Sequence, residues 1–486
     1  MFSTTWGICF SLEANLNGLK TSRFGTVATQ LRANAPEEQR SQIAIAAGLG
    51  VSANRIWTLD FDTRREQPYH QPDTSARCRR GPRVQRLPMP RDQSAYTFAS
   101  LFAGCGGFDL GFLQAGFRCR AAFDIDALAV EHHRRNLGSP ALVCDLATSP
   151  PFSIPGTLDV LLAGPPCQGF SLAGKREADD PRNGLLIRAG QIAVKLSPRV
   201  FILENVAGVR SGVHRKYWEA LHEIMRVAGY QTRDFLLIGT EWGVPQMRKR
   251  CLFVAWRTAA TLRSDIHGDV GGVLKNVLAN ISGVANHAPH YLPAGSRIAS
   301  IARRIRPGQK LCNVRGGSNS VHTWQIPEVF GRTTKEERRV LNVLMRLRRV
   351  HRRRPTGDAD PVHIALLRSE FGPNVDAVVD CLVSKGFIRK VGRHFDLAHA
   401  FNGKFRRLHL ERPSFTVDTR FGDPRYFLHP TEHRGFTVRE AARIQGFPDS
   451  FCFSGDVRAQ YRFVGNAVPP PMARSVATIV RSALLH

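Results

Sequence analysis

Residues 97–126 read TFASLFAGCGGFDLGFLQAGFRCRAAFDID. The apolar run Thr97–Phe102 has the length of a strand and leads into a glycine-rich turn, a helical stretch at Phe108–Ala115 and a second strand-length run at Cys119–Phe123. Strand, helix and strand in this order predict two parallel strands joined by a right-handed crossover. The glycines of the turn let the backbone bend tightly and approach a ligand closely.

The same alternation continues toward Trp256. Further strand-length runs are Val160–Ala163, Val200–Leu203 and Leu252–Trp256. Further helical stretches are Ala127–Asn136, Gly184–Leu196 and Tyr217–Ala228. Alternating strands and helices predict an α/β fold, with a mostly parallel sheet and helices on both faces.

Charge and cysteine usage narrow the class of protein. The 486 residues carry a formal net charge of +28, which indicates a polyanionic partner such as nucleic acid. Residues 258–411 hold 26 Lys and Arg against 12 Asp and Glu, which is half of that charge. The ten cysteines are scattered without zinc-ligand spacing, so neither a disulfide framework nor a metal site is expected. We find no membrane-spanning run and no signal peptide, and we expect a cytoplasmic protein.

The chain divides into four predicted segments. Residues 1–93 form an N-terminal extension that we expect to be partly disordered. Within it, Gln42–Ile56 resembles a helix-turn-helix about as well as it resembles an ordinary amphipathic helix. Residues 94–257 form the α/β domain, residues 258–411 a smaller basic domain, and residues 412–486 complete the basic domain and return to the α/β domain.

The basic segment contains a second patterned region, residues 333–397, which we call the insert. Residues 258–332 before it lack periodicity and are expected to be irregular. A capping box at 333–337 begins a helix with Val340, Leu341, Leu344 and Leu347 on one face. Two helices and a hairpin follow, at Val362–Phe371, Val375–Lys385, Phe387–Val391 and Phe395–Leu397. Three helices and a hairpin suit a winged helix, and a generic α+β insert fits equally well.

Polar residues follow the strands of the α/β domain. Asp124 and Asp145 stand at the ends of successive strands, where carboxylates bind the hydroxyls and the base of an adenosine. Cys167 follows two stiffening prolines in the polar loop GPPCQGFS, which displays the thiol as a nucleophile requires. Glu204 comes at the end of the run Val200–Leu203, and QMRKR at 246–250 precedes the last strand.

These segments together resemble the ordered motifs of the DNA (cytosine-5) methyltransferase family, of the type found in bacterial modification enzymes. The resemblance rests on FAGCGG at 102–107, PCQ at 166–168, ENV at 204–206, QMRKR at 246–250, RGFTVREAARIQGFPD at 434–449 and GNAVPP at 465–470. It covers roughly residues 96–257 and 405–486. It departs from the family at Asp124, where many members have Glu, and at Cys144, which replaces a frequent Gly. It implies the Rossmann-like fold of S-adenosylmethionine-dependent methyltransferases.

The resemblance also implies roles for the catalytic residues. Cys167 would add to C6 of a cytosine that has been flipped out of the duplex. Glu204 would bind N3 and the exocyclic amine, and Arg250 would bind O2. Arg248 would help to hold the loop and Cys167.

The methyl donor implied is S-adenosylmethionine, with no metal. Asp124 would hold the ribose hydroxyls, Ile125 would pack on the adenine, and Asp145 would bind the adenine amine. The remaining residues expected around the donor are Phe102, Gly104, Gly106, Leu146, Asn466 and Val468.

The partner expected is double-stranded DNA, methylated by a monomer within a restriction–modification system whose endonuclease recognises the same site. An RNA cytosine-5 methyltransferase and an orphan regulatory DNA methyltransferase are the alternatives. We assign target recognition to residues 258–411, because the α/β alternation ends there and the charge concentrates there. Candidate phosphate contacts are Arg303, Arg304, Arg306, Arg352, Arg353 and Arg354, and candidate base-edge contacts are Asn313, Arg315 and Asn319.

Overall fold

The computed structural model describes residues 96–148, 154, 157–166, 183–257, 268–354 and 357–484. The N-terminal extension with the helix-turn-helix prediction at Gln42–Ile56, and the candidate nucleophile Cys167, lie outside the described residues. No helix in the described part of the chain is long and apolar enough to cross a membrane.

Seven strands build the main sheet, in the order β3-β2-β1-β4-β5-β7-β6. All neighbouring strands run parallel except β7, which is antiparallel to both β5 and β6. This confirms the mostly parallel α/β sheet. The strands of the chain are β1 Thr97–Leu101, β2 Arg118–Asp124, β3 Ala141–Val143, β4 Val160–Ala163, β5 Val200–Val206, β6 Gln231–Ile238, β7 Lys249–Trp256, β8 Lys310–Cys312, β9 Ser320–Val321, β10 Val362–His363, β11 Ile388–Val391, β12 His394–Leu397, β13 Asn402–Lys404, β14 Arg406–Arg407 and β15 Phe427–Leu428.

Helices cover both faces of this sheet. Val160 and Leu162 of β4 point into one apolar layer, while Leu161 and Ala163 point into the other, as the two-residue period of a strand requires. α1 and the C-terminal helix α13 pack in the first layer, and α3 and α4 pack in the second. The helices are α1 Gly107–Gln114, α2 Ala127–Leu137, α3 Gly184–Leu196, α4 Arg215–Val227, α5 Leu274–Leu278, α6 Arg297–Arg304, α7 Pro327–Phe330, α8 Lys335–Val350, α9 Ile364–Phe371, α10 Val375–Ser384, α11 Val438–Ile444, α12 Val457–Asn466 and α13 Pro470–Leu484.

The predicted strand ends differ from the observed ones on the functional side of the sheet. β5 continues through Val206, so Glu204 lies inside the strand and not beyond its end. β7 begins at Lys249, so Arg250 also belongs to a strand. The sequence analysis missed β6, whose half-exposed residues carry little apolar patterning. β7 pairs with β6 along its whole length and with β5 from Arg250 onward, so Glu204 and Arg250 both lie on hydrogen-bonded strands.

Residues 268–332 are more ordered than the sequence analysis predicted. They contain the short helices α5, α6 and α7 and the strands β8 and β9. Ser296 caps α6 by accepting a hydrogen bond from the backbone N–H of Ala299. Ile301, Leu311 and Phe405 share one apolar cluster with Leu428. Short elements of this kind escape periodicity analysis because most of them contain fewer than two helical turns.

The insert has a core of its own. Helices α8, α9 and α10 enclose an apolar cluster that includes Leu341, Leu344 and Leu382. Thr334 and Glu337 form the predicted capping box at the start of α8. β10, β12 and β11 form a three-stranded antiparallel sheet in that order. The element order is helix, strand, helix, helix, strand, strand, and β10 is the one element that the sequence analysis did not separate from its helix.

Candidate active site

A cavity of about 390 Å³ opens at the carboxyl edge of the main sheet. Its volume lies within the range of small-molecule sites. The loops that follow β1, β2, β3 and β4 converge on it, together with the end of β5 and the start of β7. Most of the predicted site residues line it: Phe102, Gly104, Asp124, Ile125, Asp145, Leu146, Glu204, Arg250, Asn466 and Val468.

The glycine turn and Asp124 form one wall. Phe102, Gly104 and Gly106 all have positive φ, of 54°, 56° and 93°, so the chain reverses within five residues. Asp124 Oδ2 accepts a hydrogen bond of 2.8 Å from the N–H of Gly104, and Oδ1 accepts one of 2.9 Å from the N–H of Asp126. Burial raises the pKa of Asp124, and these two N–H groups oppose that rise. The carboxylate therefore fixes the shape of the turn and still has lone pairs that face the cavity.

Gly106 is not among the residues that line the cavity. A Cβ atom on it would lie 2.6 Å from Leu137 Cδ1 and 2.9 Å from His133 Cδ2, so its hydrogen faces α2. The sequence analysis placed Gly106 in the donor pocket with Gly104, and the structure gives it a packing role. The reason is its position immediately before α1, where the chain presses against α2.

The part of the wall where an adenosine is expected combines an apolar side chain with carboxylates. Ile125 is 67% exposed although it borders the cavity, which leaves its apolar surface available to a flat ring. Asp145 also lines the cavity, and its carboxylate accepts hydrogen bonds from the N–H of Ala147 and the hydroxyl of Thr148. Leu146, a further lining residue, is buried.

The loop after β4 leaves the described residues at Pro166, which lines the cavity with Pro165. Asn205 is buried, and its amide donates a hydrogen bond of 3.3 Å to the carbonyl oxygen of Pro165. The middle residue of the ENV motif thus ties β5 to the approach to Cys167. The ENV motif by itself does not predict this role for Asn205.

Glu204 and Arg250 face each other across neighbouring strands. Glu204 Oε1 lies 2.7 Å from Arg250 Nε, and both side chains are only 12–13% exposed. β5 and β7 bring them together, since Glu204 pairs with Leu252 and Val206 pairs with Arg250 in the ladder. The result is an acceptor and a donor placed side by side at the cavity wall.

Arg248 is almost fully buried and faces the C-terminal segment. Its guanidinium donates to the carbonyl oxygens of Val417, Gly465 and Ala467 at 2.9–3.3 Å. Gln246 is also buried, and its amide donates to Ile444 O and to Gln445 Oε1. The QMRKR motif therefore anchors the segment that carries Asn466 and Val468 to the cavity, over 200 residues away in sequence.

Some lining residues escaped the sequence analysis. Arg462 and Phe463 of α12, and Leu185 of α3, border the cavity. Arg462 also forms an ion pair of 2.8 Å with Asp126. The sequence could have indicated Arg462 and Phe463, because they come just before GNAVPP. The helix that contains them must end at the pocket where Asn466 and Val468 are expected.

The candidate base-reading residues separate into two groups. Asn313 is buried; its amide donates to Thr323 Oγ1 and to the carbonyl of His399, and its oxygen accepts from the N–H of Thr323. The prediction that Asn313 reads a base edge is therefore wrong, because these bonds occupy the side chain. Arg315 and Asn319 are exposed.

Among the proposed phosphate contacts, Arg304 is paired with Glu328, whereas Arg303 and Arg306 are exposed to solvent.

Within the described ranges, no group of three or more His, Cys, Asp or Glu side chains could hold a metal ion. The cavity walls offer hydrogen-bonding and apolar groups, which suit an organic ligand.

The chain is similar to known proteins of one family. The model of the family described as C-5 cytosine-specific DNA methylase matches residues 96–481. Type II methyltransferase M.XorII of Xanthomonas oryzae pv. oryzae is 31% identical over 398 residues, which cover 79% of this chain and 84% of that protein. Type II methyltransferase M.DdeI of Desulfomicrobium norvegicum is 28% identical, over 78% of this chain and 86% of that protein.

Solved structures show the same kind of likeness at lower identity. A DNA modification methyltransferase encoded within an Escherichia coli prophage is 20% identical, with a TM-score of 0.49, over 81% of this chain and 100% of that one. The Dnmt2 methyltransferase of S. pombe is 16% identical, with a TM-score of 0.44, over 80% of this chain and 100% of that one.

Proposed function

Because the chain belongs to the family of C-5 cytosine-specific DNA methylases, we propose that Cys167 is the nucleophile with which it methylates cytosine in duplex DNA. Cys167 follows directly on Pro166, which lines the cavity together with Glu204 and Arg250. This shared lining is the observation that carries the proposal. It brings the residue before Cys167, an acceptor and a donor to one cavity.

The cavity walls fit the methyl donor of the family. S-adenosylmethionine, when bound, supplies a sulfonium methyl group to an attacking carbon. Asp124 would accept hydrogen bonds from the ribose hydroxyls through its remaining lone pairs, and Ile125 would cover one face of the adenine. Asp145 would accept a hydrogen bond from the adenine amine. Asn466 and Val468 would close the pocket from the C-terminal side.

Glu204 and Arg250 would bind the polar edge of the target base. Cytosine presents an amino group, N3 and O2 in a row along that edge. One oxygen of Glu204 would accept from the amino group, and a proton shared between the other oxygen and N3 would hold the ring nitrogen. Arg250 would donate to O2. The pair, 2.7 Å apart in this structure, would open to receive the base between its two charges.

The reaction needs a nucleophile because cytosine C5 attacks poorly by itself. The thiolate of Cys167 forms a bond to C6, and the electron pair of the C5–C6 double bond becomes available at C5. Negative charge that spreads toward N3 and O2 is stabilised by Glu204 and Arg250. After C5 has gained the methyl group, its proton leaves to a base or water. The S–C6 bond then breaks, which restores the double bond and the thiolate.

The geometry of this step excludes an intact duplex, because C6 and C5 are stacked between neighbouring bases. The target base must rotate out of the helix into the cavity. Asn205 would contribute by positioning, since it holds the Pro165 carbonyl two residues before the nucleophile.

Substitution of Cys167 tests the mechanism. We expect Cys167→Ala and Cys167→Ser to lower the methylation rate by roughly 10³-fold or more. DNA that carries 5-fluorocytosine at the target should trap wild-type protein in a denaturant-stable adduct, because fluorine cannot leave as the proton does. Cys452→Ser, whose thiol lies away from the cavity, serves as the matched control and should form the adduct normally. Adduct formation by Cys167→Ala would rule out this nucleophile.

The biological setting proposed is a restriction–modification system. The relatives described above are named type II methyltransferases. We propose that this chain acts in the same way, as a cytoplasmic monomer whose methylation protects a site from a partner endonuclease. Plasmid from cells that express the protein should resist cleavage by an extract of the source organism. Methylation without any matching endonuclease activity would indicate an orphan regulatory enzyme instead.

Sequence recognition is proposed for residues 258–411. Arg303, Arg306 and Arg315 are exposed cations on this segment, and Asn319 lies in the glycine-rich loop beside Arg315. Bisulfite sequencing of DNA from expressing cells would give the recognition sequence. The purified protein should then methylate a duplex with that sequence and leave transfer RNA unmodified. Methylation of transfer RNA alone would support the RNA alternative.

A further inference from the structure

The insert at 333–397 presents its positive charge away from the helix that usually reads DNA. In a helix-turn-helix arrangement the second helix of the pair enters the major groove. Here that helix is α10, Val375–Ser384, which contains Asp376 and Asp380 and no Lys or Arg. Asp380 is exposed, and Asp376 is paired with Arg368. Phosphates that flank a groove would repel these carboxylates, so docking through α10 is disfavoured.

Seven of the fourteen Lys and Arg residues of the insert lie instead at the end of α8, in the turn after it and on the β11–β12 hairpin. We call this set the basic edge. All of its members are exposed: Arg349, Arg352, Arg353, Arg354, Arg389, Lys390 and Arg393.

Buried carboxylates join the three parts of the basic edge. Asp396 of β12 is 6% exposed and lies 2.5 Å from Arg348 of α8 and 2.7 Å from Arg389 of β11. Asp360 accepts hydrogen bonds from the backbone N–H groups of Arg353 and Arg354. Asp396 thus joins α8 to β11, and Asp360 holds the turn while it also pairs with the guanidinium of Arg354. Arg354 and Arg389 are therefore paired members of the basic edge. In the described part of the chain, no carboxylate lies within ion-pair distance of Arg349, Lys390 or Arg393.

The basic edge adjoins the loop that is the best remaining candidate for base reading. Arg315 donates to Asp358 at 2.8 Å, and Asn402 also hydrogen-bonds Asp358, in the turn between α8 and β10. Arg315 begins the exposed stretch that contains Gly316, Gly317 and Asn319. A duplex bound at this loop would therefore pass close to the basic edge.

We propose that the insert binds phosphates of the substrate duplex that lie outside the recognition sequence, and that it does so through the basic edge and not through α10. This proposal rests on the proposed function, since it concerns the same duplex. The wing-like hairpin provides Lys390 and Arg393 at its tip, where Gly392 has a φ of +58° that suits a tight turn. Contacts of this kind add affinity and salt dependence without reading bases.

The test compares duplexes of different length that contain the sequence found by bisulfite sequencing. One duplex of about 12 base pairs covers the site, and one of about 36 base pairs extends beyond the reach of a single module. Binding of the full-length protein is measured by fluorescence anisotropy across a salt series. The double variant Lys390→Gln/Arg393→Gln should bind the long duplex more weakly, with the salt slope reduced by roughly 2, and should bind the short duplex like the wild type.

Two control variants sharpen the outcome. Asp380→Asn removes a negative charge from α10 and should leave the affinity for both duplexes unchanged. A marked gain in affinity for the long duplex would place α10 in the groove and overturn the proposal. Arg226→Gln removes an exposed cation from α4 and should also change nothing. An unchanged salt slope for the double variant on the long duplex would show that the insert only braces the domain. Normal methylation of the short duplex in that case would leave the proposed function intact.

Discussion

Several arginines of this basic chain are structural. Arg248, Arg407 and Arg439 are buried, and each donates to three or more backbone carbonyl oxygens in loops and at helix ends. Burial lowers the pKa of Arg407 to about 10, which still leaves the guanidinium charged at neutral pH. A planar group with five donors can satisfy several carbonyls that have no secondary-structure partner. Net charge therefore overstates how many cations are available to DNA.

The close packing of Gly106 against α2 gives a prediction about the stability of the fold. Gly106→Ala would strain a residue with φ of +93° and would push Cβ into Leu137 and His133, whose ring hydrogen-bonds buried Asp109 at 2.6 Å. We expect the free energy of unfolding to fall by about 2–4 kcal/mol, measured by chemical denaturation. Gly104→Ala is the matched control, because its φ is also positive but no atom lies within 4 Å of the added Cβ. Equal losses in both variants would contradict the packing role of Gly106.

At the scale of elements, the start of α11 is built around a buried cluster of charges. Thr437 and Glu440 form a capping box, and Glu440 also accepts two hydrogen bonds from Arg434 at 2.7 and 2.8 Å. His429 lies against this pair, with its ring 5.5 Å from that of Phe436. Its burial in this cluster lowers the pKa of His429 to about 4.

This shift predicts an acid sensitivity. The unfolded chain protonates His429 near its ordinary pKa of 6.5, whereas the folded chain resists protonation until about pH 4. The unfolded state thus binds more protons between these values, and stability falls as the pH falls through them. His429→Gln should remove up to about 3 kcal/mol of that loss, seen as the difference between variant and wild type in chemical denaturation at pH 4.5 and pH 7.5. Identical pH dependence would show that His429 titrates normally.

In the whole molecule, the C-terminal end of the described chain returns to the main sheet and covers one face of it with α13. α13 packs against α1 so closely that a Cβ on Gly111 would lie 2.4 Å from Ala473 Cβ. Most of the segment between β7 and α11 leaves the sheet and forms apolar clusters around Leu311 and Leu344, while its helix α5 packs in a cluster with α1, α2 and α11. A region that shares little core with the sheet can vary in sequence without disturbing catalysis.

This separation allows a test by exchange. Replacing residues 258–411 with the matching segment of a relative such as M.XorII should transfer that relative's recognition sequence, as read by bisulfite sequencing. Methylation should persist, because the residues that line the cavity lie outside the exchanged segment. An active chimera with an unchanged methylated sequence would place specificity elsewhere in the chain.

Much of the site could be predicted from local sequence. β4 and α3 have the predicted bounds. Ten of the proposed residues border one cavity, because the strand-end loops of a parallel sheet converge at one edge. The spacing of apolar residues, the spacing of glycines and the order of the motifs are all read directly from the sequence. They determine the α/β fold and place the site at the carboxyl edge of its sheet.

Tertiary structure decided what depends on distant contacts. Asn313 and Arg315 stand two residues apart in the same segment. Yet Asn313 is buried and its amide hydrogen-bonds Thr323 and His399, while Arg315 is exposed. Arg248 and Arg250 likewise alternate in sequence, but one binds the C-terminal carbonyls and the other meets Glu204. Whether a side chain is buried depends on residues distant in sequence that pack against it. A short polar motif does not specify those residues, so it cannot predict burial.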